Sequence, residues 1–194
     1  MNSTENGDPE KNSAKDAIEH LQGAVIEDSE AAHKVSVPVK TGFSEERVVE
    51  IELGRSVATI LKIIAAERGC TIEELVLLRE GESEQLIEAV LVEANYPHHR
   101  RHHVHYVGDV KVTVHYQADS QHQDFKRNAT VDDVITWAIK VFKIDPSMAT
   151  EFELVRLGEK DELPPTEHVG HLAGCHHELS LDLVRGDIAN GGFH

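Results

Sequence analysis

The sequence has few of the residues that hold small secreted domains or membrane proteins together. It contains only two cysteines, Cys70 and Cys175, which lie too far apart to suggest a disulfide framework. No apolar run approaches the roughly 20 residues that span a bilayer. Residues 1–10 are polar and acidic, unlike a signal peptide. We therefore predict a soluble cytoplasmic protein with reduced thiols.

Positive charge is also scarce. Lysine and arginine number 19 against 35 acidic residues, which gives a formal net charge of -16 at pH 7. Such a surface does not displace counterions from phosphates, so binding to nucleic acid or to anionic membranes is disfavoured. The hydrophobic content of 40% is enough for one medium domain or two small ones.

Motifs of common enzymes are missing as well. The sequence has no nucleotide-binding glycine loop, no HExxH and no GxSxG. Cys70 follows the glycine that ends a predicted helix, whereas a reactive thiolate is favoured at a helix N-terminus. Cys175 precedes two histidines, but adjacency in sequence does not establish a Cys-His dyad. We predict no enzymatic activity, no catalytic residue and no cofactor.

Histidine is abundant, with 14 residues, and the densest run lies at residues 98–105. A zinc site needs about four converging ligands, usually from two elements. In a strand, His103 and His105 share one face while His102 faces the other way, so the run does not converge by itself. Its two arginines would also repel a cation. The sequence predicts a polar turn and a solvated strand rather than a metal site, with metal binding as the alternative.

The chain reads as a leader followed by the same order of elements twice. Residues 1–33 are polar and lack Phe, Trp and Tyr, which predicts a disordered acidic leader, or a helix that folds on a partner. The first repeat has predicted strands at 35–40, 48–53, 75–79 and 102–107. Its helix is predicted to begin at Ser56 as N-cap and to end at Gly69.

The second repeat has predicted strands at 111–116, 124–127, 152–156 and 178–184. Its helix opens with Thr130 as N-cap and Asp133 completing a capping box. Residues 75–107 align with residues 152–184 without a gap at an offset of 77 positions, so that Leu77 falls on Leu154. Element order and gapless length together indicate an internal repeat.

This order of elements resembles the ubiquitin fold, or β-grasp. The likeness rests on residues 130–134 at the helix start, on the turn glycine Gly158, and on three leucines of the last strand (Leu179, Leu181 and Leu183). It implies an α+β chain of two tandem ubiquitin-like β-grasp domains with a flexible C-terminal Gly-Gly tail. The implied bounds are residues 34–107, a linker at 108–110, residues 111–185 and a tail at 186–194. Because the linker is short, we expect a restricted mutual orientation of the domains.

The end of the sequence, Gly191-Gly192-Phe193-His194, is similar to the precursor tail of protein modifiers with this fold. The tandem arrangement resembles the BilA modifiers of bacterial Bil antiphage operons and the interferon-induced two-domain ubiquitin-like modifier. The resemblance implies removal of Phe193 and His194 and conjugation through Gly192. The implied partners are an activating (E1-like) enzyme, a conjugating (E2-like) enzyme, a deconjugating or processing protease and target proteins.

The tail departs from that of ubiquitin before the glycines. The Leu-Arg of the family is replaced by Ala189-Asn190, and the nearest arginine is Arg185. We predict these three residues to be read by a dedicated activating enzyme. A non-covalent tandem ubiquitin-like adaptor with an inert tail, and a sulfur carrier, remain the alternative functions.

Overall fold

The computed structural model describes residues 33–186. The first half forms a four-stranded sheet with strand order β2-β1-β4-β3. Strands β1 and β2 are an antiparallel hairpin, β4 returns parallel to β1, and β3 is antiparallel to β4. The elements are β1 (Lys34–Gly42), β2 (Glu45–Glu52), α1 (Ala58–Arg68), β3 (Leu75–Arg79) and β4 (His102–Tyr106).

The second half repeats this topology, with strand order β6-β5-β8-β7. Strand β8 is parallel to β5 and antiparallel to β7. The elements are β5 (Val110–Tyr116), β6 (Asp119–Phe125), α2 (Val131–Val141), β7 (Phe152–Arg156), α3 (Val169–Ala173) and β8 (Glu178–Arg185). Each sheet carries its long helix on one face, and the predicted class, two tandem β-grasp domains in an α+β chain, is confirmed.

Both long helices bury one apolar face, and capping residues mark their ends. In α2, the N–H of Asp133 donates to Thr130 Oγ1 (3.2 Å) and the N–H of Thr130 donates to the Asp133 carboxylate (2.8 Å), which confirms the capping box. Helix α1 ends at Gly69, whose φ of 66° is left-handed. The predicted N-cap Ser56 is one residue early, because Val57 occupies that position; Ser56 Oγ still accepts from the N–H of Ala58 (3.1 Å).

Each domain has its own hydrophobic core between helix and sheet. The first core contains strand, helix and loop residues, among them Val37, Val39, Ile51, Ile60, Ile64, Leu77, Val92 and Val104. The second contains their counterparts, among them Val112, Val114, Val134, Ala138, Leu154, Leu163, Leu179, Leu181 and Leu183.

Two predictions about the second domain were wrong. Strand β6 begins at Asp119, not at residue 124, because the hairpin turns tightly at Gln117, where φ is 56°. Its residues are mostly exposed on a sheet edge, so they carry no apolar alternation to reveal a strand. Helix α3 lies between the predicted strands at 152–156 and 178–184, where the sequence pattern predicts no element, and all five of its residues are buried.

Helix α3 is buried between the two domains: Val169, Leu172 and Ala173 belong to the core of the second domain, and Gly170 and His171 face β4 of the first. Its neighbour Glu167 forms an ion pair with Lys40 of β1 across the interface, with 2.5 Å between Nζ and Oε2. Arg127, which is 4% exposed, bonds to the linker and to the second domain: its guanidinium donates to the carbonyl oxygens of Gly108 (3.2 Å), Gly174 (2.7 Å) and His176 (2.9 Å).

No helix within residues 33–186 combines the length and hydropathy needed to cross a bilayer.

Candidate functional sites: the last strand and the domain interface

Strand β8 is the element that carries the predicted reactive tail. It lies between β5 and β7, and its last residue pair is Arg185 with Phe152. Leu179, Leu181 and Leu183 are 7%, 0% and 4% exposed, as the alternating pattern predicts. The strand is therefore anchored in the core up to the point where the chain leaves the sheet.

The exit of the chain from the sheet is tied to the 3-10 helix Pro146–Glu151. The guanidinium of Arg185 lies 3.3 Å from the Glu151 carboxylate and 5.8 Å from the ring centre of Phe152. The N–H of Gly186 donates to the Glu151 carbonyl oxygen (2.9 Å). Of the predicted tail residues, only Arg185 lies within residues 33–186; Ala189, Asn190, Gly191, Gly192, Phe193 and His194 lie outside the described part of the chain.

The outer face of β8 is polar. Ser180 is exposed, and the half-buried Asp182 accepts from the N–H of Gly158 at 3.2 Å. At the offset of 77 positions, their counterparts in β4 of the first domain are His103 and His105. These are only 6% and 1% exposed, so the equivalent face of the first domain is covered.

The covering surface belongs to the second domain and brings four histidines together. His103 and His105 from β4 face His168, which precedes α3, and His171 within it. One ring nitrogen from each lies within 4.8 Å of the others. The ring centres of His103 and His168, and those of His105 and His171, are 4.3 Å apart. We call these four residues the interface histidine cluster.

Hydrogen bonds fix part of this cluster and leave part of it unpaired. His105 Nε2 lies 3.0 Å from His168 Nδ1. His171 Nδ1 donates to Glu167 Oε1 at 2.8 Å. Four buried ring nitrogens have no hydrogen-bond partner among residues 33–186: both nitrogens of His103, Nδ1 of His105 and Nε2 of His171.

Burial keeps the cluster uncharged. Desolvation lowers the pKa of His103 to about 3 and that of His168 to about 4, and it lowers the pKa of His105 well below its usual value. Desolvation also lowers the pKa of His171, although the hydrogen bond to Glu167 opposes this. The imidazoles are therefore neutral at pH 7, which is the form that binds metal ions.

Glu167, by contrast, remains ionised in this buried position. Burial alone raises its pKa, but the hydrogen bonds from His171 and Lys40 outweigh that effect and hold the pKa at about 2. The carboxylate is thus a buried negative charge held between an imidazole and an ammonium group.

The prediction of a solvated strand at the histidine run was wrong. His102, His103 and His105 are all buried, and the ligand groups converge from a second element that the run does not contain. One signal in the sequence was available, since His168 and His171 are three residues apart and share one side of a helical turn. The other dense group, Cys175-His176-His177, is exposed and lies outside the cluster.

Fold, strand order and the anchored last strand define a tandem ubiquitin-like protein. Residues 111–186 match the family model described as BilA ubiquitin-like domain 2. The second half of the chain is thus similar to the second ubiquitin-like domain of BilA, in agreement with the resemblance found in the sequence.

Two solved structures are similar to part of the chain. The ubiquitin of Caldiarchaeum subterraneum is 20% identical, with a TM-score of 0.34; the alignment covers 42% of this chain and 99% of that one. The N-terminal ubiquitin-like domain of the 4931431F19Rik protein is 14% identical, with a TM-score of 0.34, and the alignment covers 44% of this chain and 83% of that one. No curated protein matches the chain in sequence.

Proposed function

We propose that this protein is the precursor of a ubiquitin-like modifier that is cut after Gly192 and then joined through that glycine to amines of target proteins. The observation that carries the proposal is the register of β8. The three buried leucines hold the strand in the sheet until Arg185, and Gly191-Gly192 follows a few residues later. The similarity of residues 111–186 to BilA ubiquitin-like domain 2 supports it.

The chemistry requires an unhindered C-terminal carboxylate. An activating enzyme forms an acyl adenylate from this carboxylate and ATP, with release of pyrophosphate. A cysteine thiolate then displaces AMP to give a thioester, and a target amine displaces the thiolate to give an isopeptide bond. Glycine suits the narrow tunnels of such enzymes because it has no Cβ and accepts unusual φ values. Fully extended, residues 186–192 span at most about 25 Å, which is enough to reach into a tunnel.

The proposal also names the partners of this protein and the bounds of its domains. An activating (E1-like) enzyme, a conjugating (E2-like) enzyme and a processing protease act on the tail and read Arg185, Ala189 and Asn190. The chain itself is non-enzymatic and works in the cytoplasm, in bacterial antiphage defence. Its domains are residues 34–107 and 111–185, joined by 108–110, with a leader at 1–33 and a tail at 186–194.

The test is the intact mass of the protein after co-expression with the proteins encoded beside its gene. We expect loss of Phe193 and His194 and the appearance of adducts whose mass is that of the modifier plus a target, less one water. Gly192→Ala should abolish the adducts, because a Cβ enters the space next to the reacting carbonyl. Asp187→Ala, in the same tail but away from the reacting end, serves as the matched control and should conjugate normally.

The alternative functions give different masses. A tail that stays full length with every one of these proteins, without adducts, would refute the proposal and favour a non-covalent adaptor. A C-terminal thiocarboxylate would instead identify a sulfur carrier.

A further inference from the structure

We propose that the interface between the two domains is a Zn²⁺ site, with the interface histidine cluster (His103, His105, His168 and His171) as its four ligands. Two ligands come from β4 of the first domain and two from the α3 segment of the second. The bound ion would therefore connect the two domains.

The geometry is close to what zinc requires. A tetrahedral ion with Zn–N distances of about 2.0–2.1 Å places its ligand nitrogens roughly 3.3 Å apart. In the cluster, one nitrogen of each imidazole lies within 4.8 Å of the others, and the pair formed by His105 Nε2 and His168 Nδ1 is 3.0 Å apart. To bind one ion, the four nitrogens would have to move closer together than they are here, and His105 Nε2 and His168 Nδ1 would exchange their mutual hydrogen bond for bonds to the metal.

The unpaired nitrogens point to the same conclusion. Buried polar atoms in folded proteins nearly always have a partner, since leaving one unsatisfied costs free energy. His103 has two buried ring nitrogens without a hydrogen-bond partner among residues 33–186, and His171 Nε2 is a third. A metal ion at the centre supplies a partner for one ring nitrogen of His103 and for Nε2 of His171 at once.

Glu167 accepts the kind of hydrogen bond that usually orients a metal-binding histidine. Ligating imidazoles commonly donate their other N–H to a carboxylate, which fixes the tautomer and the ring orientation. His171 Nδ1 donates to Glu167 Oε1, which leaves Nε2 for the ion. Lys40 pairs with the second oxygen of the same carboxylate, so its positive charge is balanced.

The arginines of the histidine run do not prevent cation binding. Arg100 pairs with Glu82, and Arg101 pairs with both Glu46 and Glu80. Their charges are therefore balanced by carboxylates. The charge of Arg127 also lowers the pKa of His105. Its N–H groups, however, donate to backbone carbonyl oxygens and not to the cluster.

An entry route also exists. A cavity of about 350 Å³ lies beside the cluster and has His103 and His168 in its wall. Its remaining walls come from both domains: Lys40, Glu80, Arg101, Pro164, Thr166 and Glu167. An ion can therefore reach the cluster without unfolding of either domain.

The test uses the complete 194-residue chain without a histidine tag, stripped with a chelator and then loaded with Zn²⁺ or Co²⁺. We expect one ion per chain after gel filtration, measured by elemental analysis, and the intense visible absorption of tetrahedral Co²⁺, which Zn²⁺ removes by displacement. His171→Gln should lose this site. His98→Gln/His99→Gln, which removes two histidines outside the cluster, should keep it.

If His171→Gln folds poorly, two further measurements still test the zinc site. Glu167→Gln retains all four ligands and should weaken Zn²⁺ binding by about 10–100-fold, as loss of an outer carboxylate does. In the unaltered protein, imidazole ¹⁵N shifts on Zn²⁺ addition should be confined to the four cluster residues. The proposal is overturned if the chain retains no ion, or if the shifts fall on the exposed histidines instead. It is equally overturned if His171→Gln folds and still binds one Co²⁺ tetrahedrally. None of these outcomes depends on whether the tail is conjugated.

Discussion

Gly170 of α3 offers a sharp test of the packing between the domains. A Cβ at this position would lie 2.6 Å from His105 Nδ1 in the first domain, 2.7 Å from Arg127 Cβ and 2.8 Å from the Arg127 carbonyl oxygen. Cβ atoms do not approach other atoms this closely, and two of the three neighbours cannot rotate away. The N–H of Gly170 also donates to the same carbonyl oxygen at 2.7 Å. Gly170→Ala must therefore push α3 away from Arg127 and from β4.

Two opposing contributions decide how Gly170→Ala changes the free energy of unfolding. Overpacking of a closed site costs about 1–3 kcal/mol. Alanine in place of glycine inside a helix gains about 0.5–1 kcal/mol. We expect the packing term to prevail and the free energy of unfolding to fall by about 1–2 kcal/mol, roughly a tenfold change in the unfolding equilibrium.

The assay is urea unfolding of the chelator-treated protein, followed by the fluorescence of Trp137, the single tryptophan. Gly42→Ala is the matched control. Its Cβ would meet only the Glu45 side chain, with Oε2 at 3.0 Å, and that side chain can rotate. A change of about 0.5 kcal/mol or less is expected there. If Gly170→Ala is as stable as the unaltered protein, or more stable, then α3 is not packed as described.

Three further outcomes are expected. Thr130→Ala removes the N-cap of α2 and should lower the free energy of unfolding by about 1 kcal/mol, and restoration by Thr130→Ser would separate lost capping from other causes. Leu181→Ala, at a position with no exposed surface, should cost about 2–5 kcal/mol in the same urea assay, whereas a cost below 1 kcal/mol would contradict the core position of β8. A standard ubiquitin-interacting helix should not bind in a calorimetric titration, because Ser180 and Asp182 make the outer face of β8 polar; measurable heat of binding would refute this.

Local patterns in the sequence predicted much of the fold. Strand β7 has the predicted bounds, and the capping box of Thr130 and Asp133 is present, because these features depend on a few neighbouring residues. The edge strand β6 was misplaced because the exposed residues of an edge carry no apolar alternation. Helix α3 was missed because five residues are too few to show a helical period.

The interface histidine cluster could not be predicted in the same way. His103 and His171 are far apart in sequence, and only the docking of one domain on the other brings them together. Residues 98–105 do not converge by themselves, as predicted, because the other two histidines of the cluster lie on a different element. Residues 187–194 lie outside the described part of the chain, so the role of the tail stays a prediction.

The covered face of β4 has a consequence for how the chain is made. During synthesis, the strand with His103 and His105 leaves the ribosome well before His168 and His171 do. Until then the nascent first domain exposes these imidazoles to water, so its surface is complete only when α3 has emerged and docked. The first domain is therefore expected to be a poor candidate for production as a separate fragment, and the two domains mature together.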